Sequence, residues 1–338
     1  MQPFASSGAR PLAAMSMLVF LVALGADAAA EPPRYQNPIV RQRADPWVYR
    51  HGDGWYYFTA SVPEYDRIEI RRSRTIQGLG SAPAVVVWRR QDTGIMSANV
   101  WAPEIHFIDG SWYIYFAAAE TAARFNHRIY VLQNDSPDPF SGLWVEKGQV
   151  RTGWESFSLD ATEFDHGGVH YLVWAQKDYG IRGNSNLYIA SLTNPWTLKS
   201  AAVRISKPEF AWERRGYWVN EGPAVLVKNG RIFITYSASA TDSSYCMGML
   251  TASETAEPLD PASWTKTSLP VLQTDPAAGV YGPGHNSFTT DGDDDILVYH
   301  ARAYRDITGD PLYDPNRDTR ADVVRWGADG TPVFEPAR

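Results

Sequence analysis

The sequence predicts an all-β chain folded as a five-bladed β-propeller in a single domain, and three observations carry that prediction. A short aromatic-rich run recurs five times: GWYYF at 54–58, SWYIYF at 111–116, VHYLVW at 169–174, RIFITY at 231–236 and DILVYH at 295–300. With Trp55, Trp112, His170, Ile232 and Ile296 taken as equivalent, the steps are 57, 58, 62 and 64 residues. A turn signal stands just ahead of each run, and helical periodicity is almost absent. A repeat of about 60 residues made only of strands and turns is the mark of a propeller blade.

The N-terminus stands apart from that repeat. Arg10 precedes an apolar run over 15–24, and small residues follow in Ala26-Asp27-Ala28-Ala29-Ala30. This is a charged n-region, a short h-region and a cleavage site of small residues, so residues 1–30 read as a signal peptide. The run falls well short of the ~20 residues that span a bilayer, which argues against a membrane anchor. The protein is therefore expected to be secreted or periplasmic, with 31–338 as the propeller.

Within the propeller, each turn opens a hairpin between the first two strands of a blade. The turns are His51-Gly52-Asp53-Gly54, Asp109-Gly110, His166-Gly167-Gly168, Asn229-Gly230 and Asp291-Gly292. Further strands are expected at 68–73 and 84–88, 128–133 and 143–147, 186–191, and 245–252. The stretch 321–326, with 331–334 after the Gly330 turn, is expected to complete the fifth unit. No linker rich in Ser, Gly or Pro divides this stretch, so one domain is expected, acting as a monomer.

Composition excludes some functions and leaves others open. The single cysteine, Cys246, lies among apolar residues in SYCMGML and reads as a buried, inert thiol. The net charge of −7 is unchanged by loss of the signal, since Arg10 and Asp27 leave together. Basic residues come at most in pairs such as Arg71-Arg72 and Arg89-Arg90, which makes nucleic acid a poor partner. Thirteen Trp, 18 Tyr and 13 Phe suit blade cores and sugar-ring platforms equally, so they do not discriminate. Asp291-Gly292-Asp293-Asp294-Asp295 lacks the ligand spacing and distant Glu of a calcium loop and reads as a solvated hairpin turn.

The chemistry is suggested by what lies about ten residues upstream of each aromatic run. Those positions read Asp45-Pro46, Ala102-Pro103, Asp160-Ala161, Glu221-Gly222 and His285-Asn286. A shared register would project Asp45, Asp160, Glu221 and His285 toward one axis. Asp45 alone could start a turn and Asp160 could cap a loop, but a Glu leading into an apolar inner strand is costly unless it lines a channel. Like charges at close range raise one another's pKa, so one of the three acids is expected to keep its proton near neutrality. A protonated acid facing a carboxylate is the apparatus of glycoside hydrolysis.

The motifs Ala44-Asp45-Pro46-Trp47, Trp101-Ala102-Pro103-Glu104, Ser158-Leu159-Asp160-Ala161 and Asn220-Glu221-Gly222-Pro223 resemble the successive blade-opening motifs of glycoside hydrolase family 43. The similarity runs from about residue 37 to the C-terminus. It implies a five-bladed propeller and an inverting mechanism, with Asp45 as the general base and Glu221 as the general acid. Asp160 would raise the acid's pKa and orient it. His285 would help hold a water or a calcium ion deep in the channel, with no cofactor required for catalysis. Arg302, just past the fifth aromatic run, resembles the arginine that contacts the sugar, and Trp101 would form a wall of the same pocket. Glu104, two residues beyond Ala102, is expected to point elsewhere.

Longer patterns resemble the branch that releases terminal α-L-arabinofuranose from arabinan or from arabinose-bearing plant cell-wall polysaccharide. They are Val62-Pro63-Glu64-Tyr65-Asp66-Arg67-Ile68-Glu69, Tyr236-Ser237-Ala238-Ser239-Ala240-Thr241-Asp242 and Gly309-Asp310-Pro311-Leu312-Tyr313-Asp314-Pro315-Asn316-Arg317. The same scaffold also serves β-xylosidases and endo-arabinanases, so fold alone does not choose. Two other readings compete. A non-catalytic sugar-binding propeller would have no need of all three acids, and a retaining sucrose- or fructan-cleaving propeller would need its two carboxyls closer together.

Overall fold

Five antiparallel sheets follow one another along the chain, each built from consecutive strands. The computed structural model describes residues 33–336, together with 1–5 and 8. The apolar run and cleavage site of the expected signal peptide lie outside the described residues. Contacts divide the chain at Pro32/Pro33, and the fold is that of the second unit. Among the described residues, no helix is long and apolar enough to cross a membrane.

Blade one comprises β1 (Ala44–Arg50), β2 (Tyr56–Ser61), β3 (Arg67–Ser73) and β4 (Val85–Arg89). Blade two comprises β5 (Ala98–Ile108), β6 (Ser111–Ala119), β7 (Arg128–Asn134) and β8 (Val145–Gln149). Blade three is β9 (Ser158–His166), β10 (Val169–Gln176) and β11 (Asn186–Asn194), edged by β12 (Thr197–Leu198) and β13 (Val203–Ser206). Blade four is β14 (Asn220–Lys228), β15 (Arg231–Ala238), β16 (Cys246–Ser253) and β17 (Thr265–Lys266). Blade five is β18 (Tyr281–Asp291), β19 (Asp294–Arg302) and β20 (Asp318–Val323). The strands β1, β5, β9, β14 and β18 touch their neighbours in a closed cycle and form the inner wall.

The aromatic runs are the second strands, and they are buried on both faces because each blade is sandwiched between two others. That explains why they read as continuous apolar stretches rather than alternating ones. The hydrophobic core is accordingly divided into five clusters, each filling one seam between adjacent blades. Cys246 lies in one of them, with its thiol pushed up to about 12 by burial, as befits an inert side chain. The Asn229-Gly230 and Asp109-Gly110 hairpins have φ > 0 at both central residues, which suits the twist of the strands they join.

The ring closes differently from the sequence expectation. The segments β21 (Arg325–Trp326) and β22 (Pro332–Val333) form a separate two-stranded ribbon. The outer place in blade five goes to the N-terminal segment instead. Ile39 N–H donates to Thr319 O at 2.8 Å, and Thr319 N–H returns a 2.8 Å bond to Val40 O. Asn37 extends the pairing, donating to Ala321 O at 3.0 Å and accepting from Ala321 N–H at 2.9 Å. Asp291 and Asp294, in the hairpin turn that resembles a calcium loop, pair with Arg34.

Candidate active site

Every inner strand breaks its ladder at the same place. Register shifts fall between Ala44 and Trp47, Trp101 and Glu104, Glu221 and Ala224, and Gly284 and Ser287, and in β9 between Leu159 and Thr162. Each bulge begins with a left-handed residue: Asp45 (φ 53°), Ala102 (45°), Asp160 (53°), Gly222 (54°) and His285 (44°). Four of these are not glycine, and such backbone costs on the order of 1–3 kcal/mol where the surroundings enforce it. The fivefold register is therefore real, with one correction. The fourth blade's equivalent is Gly222, so Glu221 stands one residue ahead of it, in step with Ala44 and Trp101.

The backbone N–H at four of these bulges is taken by a side chain of the preceding blade. Ala102 N–H donates to Ser61 Oγ (2.8 Å), Gly222 N–H to Asp160 Oδ2 (3.0 Å), His285 N–H to Ser237 Oγ (2.6 Å) and Asp45 N–H to His300 Nδ1 (3.0 Å). The inner ring is stitched blade to blade at the level of the acids.

Asp45 is buried among cations and donors. Ser61 Oγ donates to its Oδ2 at 2.6 Å. Its Oδ1 lies 3.2 Å from His285 Nδ1 and 3.5 Å from Arg317 Nη1. Burial alone would raise its pKa, but the cationic and hydrogen-bonding neighbours outweigh that and hold the carboxyl far below its ordinary range. His285 and then Arg317 are the chief lowering neighbours; burial depresses the pKa of both His285 and His300, so the Arg317 guanidinium is the charge that persists at neutral pH.

Glu221 and Asp160 behave oppositely. Burial, reinforced by the Asp45 charge, pushes Glu221 up to about 7 even though Tyr245 OH donates to its Oε1 at 3.0 Å. Asp160 is also raised, by burial and then by the charges of Glu221 and Asp45. Two buried carboxyls that repel one another titrate as a pair and retain a proton around neutrality. The site thus holds one firmly ionised carboxylate and one proton-bearing pair, linked through His285 Nδ1, which is 4.0 Å from Asp160 Oδ2.

The profile of the glycosyl hydrolases family 43 matches residues 35–332. The chain belongs to that family. It is 54% identical over 326 residues to the extracellular exo-α-(1→5)-L-arabinofuranosidase of Streptomyces avermitilis, across 96% of this chain and 68% of that protein. It is 56% identical to the Streptomyces chartreusis protein of the same name, across 85% and 88%. The crystal structure of an α-L-arabinofuranosidase from Lactobacillus brevis superposes with a TM-score of 0.87 at 53% identity, covering 90% of this chain and 98% of that one.

The remaining expected site residues of this family 43 chain fall into distinct places. Trp101 stacks on His127 at 3.9 Å and meets Tyr65 edge-on at 5.7 Å, and its Nε1 is buried without a protein partner. Arg302 is buried and committed to holding loops: it donates to Thr241 O and Pro311 O, both at 2.7 Å, and to Asp314 Oδ1 at 3.2 Å. The guanidinium beside Asp45 belongs to Arg317, whose Nη2 donates to Tyr65 OH at 2.7 Å. Glu104 is buried with its Oε2 3.1 Å from His106 Nε2, and burial followed by the Asp160 and Glu163 charges raises its pKa. Arg317, His300, Ser61 and Tyr245 were missed by the sequence reading. Arg317 closes the motif Gly309-Asp310-Pro311-Leu312-Tyr313-Asp314-Pro315-Asn316-Arg317, and His300 ends the last aromatic run, so both had a signal at hand.

Calcium takes six to eight oxygen ligands. The groups about His285 are ring nitrogens and carboxylates already paired with protein donors, so they offer no direct oxygen cage, and a calcium ion beside His285 would be held through water. Among the described residues, no group of three or more His, Cys, Asp or Glu is arranged to hold a metal ion.

Proposed function

We propose that this glycosidase is an exo-acting, inverting α-L-arabinofuranosidase that removes terminal α-1,5-linked arabinofuranose from arabinan. The observation that carries the mechanism is the split between its buried acids. Asp45, held ionised beside Arg317, accepts a proton from water as it attacks the anomeric carbon. Glu221, with a pKa of about 7, gives its proton to the departing glycosidic oxygen. Asp160 accepts the N–H of Gly222, the residue after Glu221, and so fixes the acid's backbone while sharing its proton economy. The chemistry runs on these carboxyls and water and calls for no cofactor.

Exo action is supported by the loop over 303–317. Leu312 O accepts from Tyr65 OH at 2.6 Å, Asp314 and Pro311 hold Arg302, and Arg317 reaches Asp45. This anchored segment walls one side of the base and suits a pocket that accepts a chain end. Substrate specificity follows the relatives named for exo-α-(1→5) action, and export follows their designation as extracellular.

Product analysis tests the proposal. With linear arabinan, arabinoxylan and xylan as substrates, the first product should be free arabinose, formed with inverted anomeric configuration. Arabino-oligosaccharides as first products would indicate endo cleavage, and xylose a xylosidase. Retention of configuration would remove the assigned roles of Asp45 and Glu221.

A further inference from the structure

A groove of about 590 Å³ lies at the edge of blade three, lined by Trp154, Asp178, Tyr179, Tyr188 and Arg204, with Pro261 from blade four. The groove is shallow and open to solvent, which suits an extended chain laid along the surface rather than an enclosed small molecule. None of these residues is among the partners of Asp45, Asp160 or Glu221 described above. We propose that the groove is a second saccharide-binding site, which holds a neutral stretch of the polysaccharide chain away from the catalytic pocket.

Its chemistry fits a polyhydroxyl ligand. Trp154, half-buried at the groove, offers apolar ring surface for sugar C–H groups, and the buried Tyr188 backs it edge to face at 5.0 Å. The indole nitrogen of Trp154 is already spent on Lys177 O at 3.0 Å. Asp178 supplies acceptors and Arg204 supplies donors for hydroxyls. They lie 4.0 Å apart, so their charges offset and an anionic ligand gains little. Asp178 Oδ2 also accepts from Tyr188 OH at 3.2 Å, fixing the polar edge to the aromatic floor.

Tyr179 forms the lip and is 76% exposed. Its loop is nonetheless firmly held. Asp178 Oδ1 accepts from Gly180 N–H at 2.8 Å, Lys177 Nζ donates to Gly183 O, and Asn184 N–H donates to Trp218 O at 2.7 Å. An aromatic ring presented to solvent on a preorganised loop loses little entropy on binding. Tethering the chain here would raise the effective concentration of its end at the pocket.

The inference rests on the arabinan reading, and one experiment separates the two. Enzyme carrying Asp45→Asn, which leaves the gel polymer intact, is run through native gels containing linear arabinan, alone and with Tyr179→Ala or Arg204→Ala. Retardation should be clear for the single variant and largely lost in the double variants. In the otherwise wild-type background, the groove variants should raise KM for arabinan by about threefold or more, while 4-nitrophenyl arabinofuranoside, too short to reach the groove, is turned over as before. Equal retardation with and without the groove substitutions, or none at all, would overturn the second site. Failure of the wild-type enzyme to release arabinose would sink the functional reading but leave a substitution-sensitive retardation standing.

Discussion

His300 Nδ1 accepts the backbone N–H of Asp45 at 3.0 Å, across the seam where blade five meets blade one. That bond assigns the proton of the neutral ring to Nε2 and seats the base in its left-handed conformation. The ring also stacks on Tyr245 at 5.6 Å, the tyrosine that donates to Glu221. His300→Phe should keep the stacking and orphan the N–H. The expected result is a loss of about 1–3 kcal/mol in unfolding free energy. Turnover should fall equally on arabinan and on an activated aryl glycoside, because the defect lies on the base side. A loss confined to arabinan would contradict this assignment.

Activity against pH should be bell-shaped, with both limbs displaced from ordinary carboxyl values. Asp45 must be ionised, and its depressed pKa keeps it so until well into acid. Glu221 must be protonated, and that form is lost as pH rises through about 7. The optimum therefore lies on the acid side of neutrality. Arg317→Met removes the permanent cation from Asp45, so the acid limb should move up by about 1–3 pH units. The alkaline limb should also move up, less far, because Arg317 lowers Glu221 too. Profiles of kcat/KM for the folded variant check this, and an unmoved acid limb would remove Arg317 from the argument.

Glu221→Gln keeps the shape of the acid and removes its proton. General acid catalysis contributes roughly 10²–10⁴-fold where the leaving group needs protonation. Arabinan, whose leaving group is a sugar alkoxide, should show that loss. A 4-nitrophenyl glycoside, which departs without help, should lose far less. Parallel rates on both substrates compared with wild type would show whether the two losses separate. Asp45→Asn, by contrast, should abolish turnover on either substrate.

Much of this site was legible in the sequence because the bulges repeat with the blades. Asp45, Asp160 and His285 sit at the same backbone position, and the aromatic runs marked that position within a residue or two. Glu221 shows the limit of such counting. Its blade carries a glycine at the left-handed place, and a repeat that varies by several residues between strands does not resolve a shift of one. Arg302 and Arg317 show another limit. Both follow the fifth aromatic run, but which one turns to Asp45 depends on how the loop over 303–317 folds back on Tyr65. Closure of the ring by residues 37–40 joins segments about 280 positions apart, and no local pattern announces such a pairing.

Gly222 and Ala102 occupy equivalent backbone positions in blades four and two, yet substitution should act on them with opposite sign. At Gly222, φ is 54°, and an added Cβ would lie 3.0 Å from His285 Cγ and 3.1 Å from its Nδ1. A left-handed conformation costs an L-residue about 1–2 kcal/mol, and the crowding against a buried ring adds to it. Gly222→Ala should therefore destabilise the fold by at least that amount. It should also strain the N–H bond to Asp160 that fixes Glu221, so the loss of activity should be larger on arabinan than on an aryl glycoside. Ala102 already bears the conformational penalty, at φ 45°. Ala102→Gly relieves it and offsets the greater freedom of the unfolded chain, so stability should hold or rise by up to about 1 kcal/mol. Denaturant unfolding of the two variants side by side measures the contrast, and a stable Gly222→Ala protein with wild-type leaving-group dependence would show that the bulge does not set the acid.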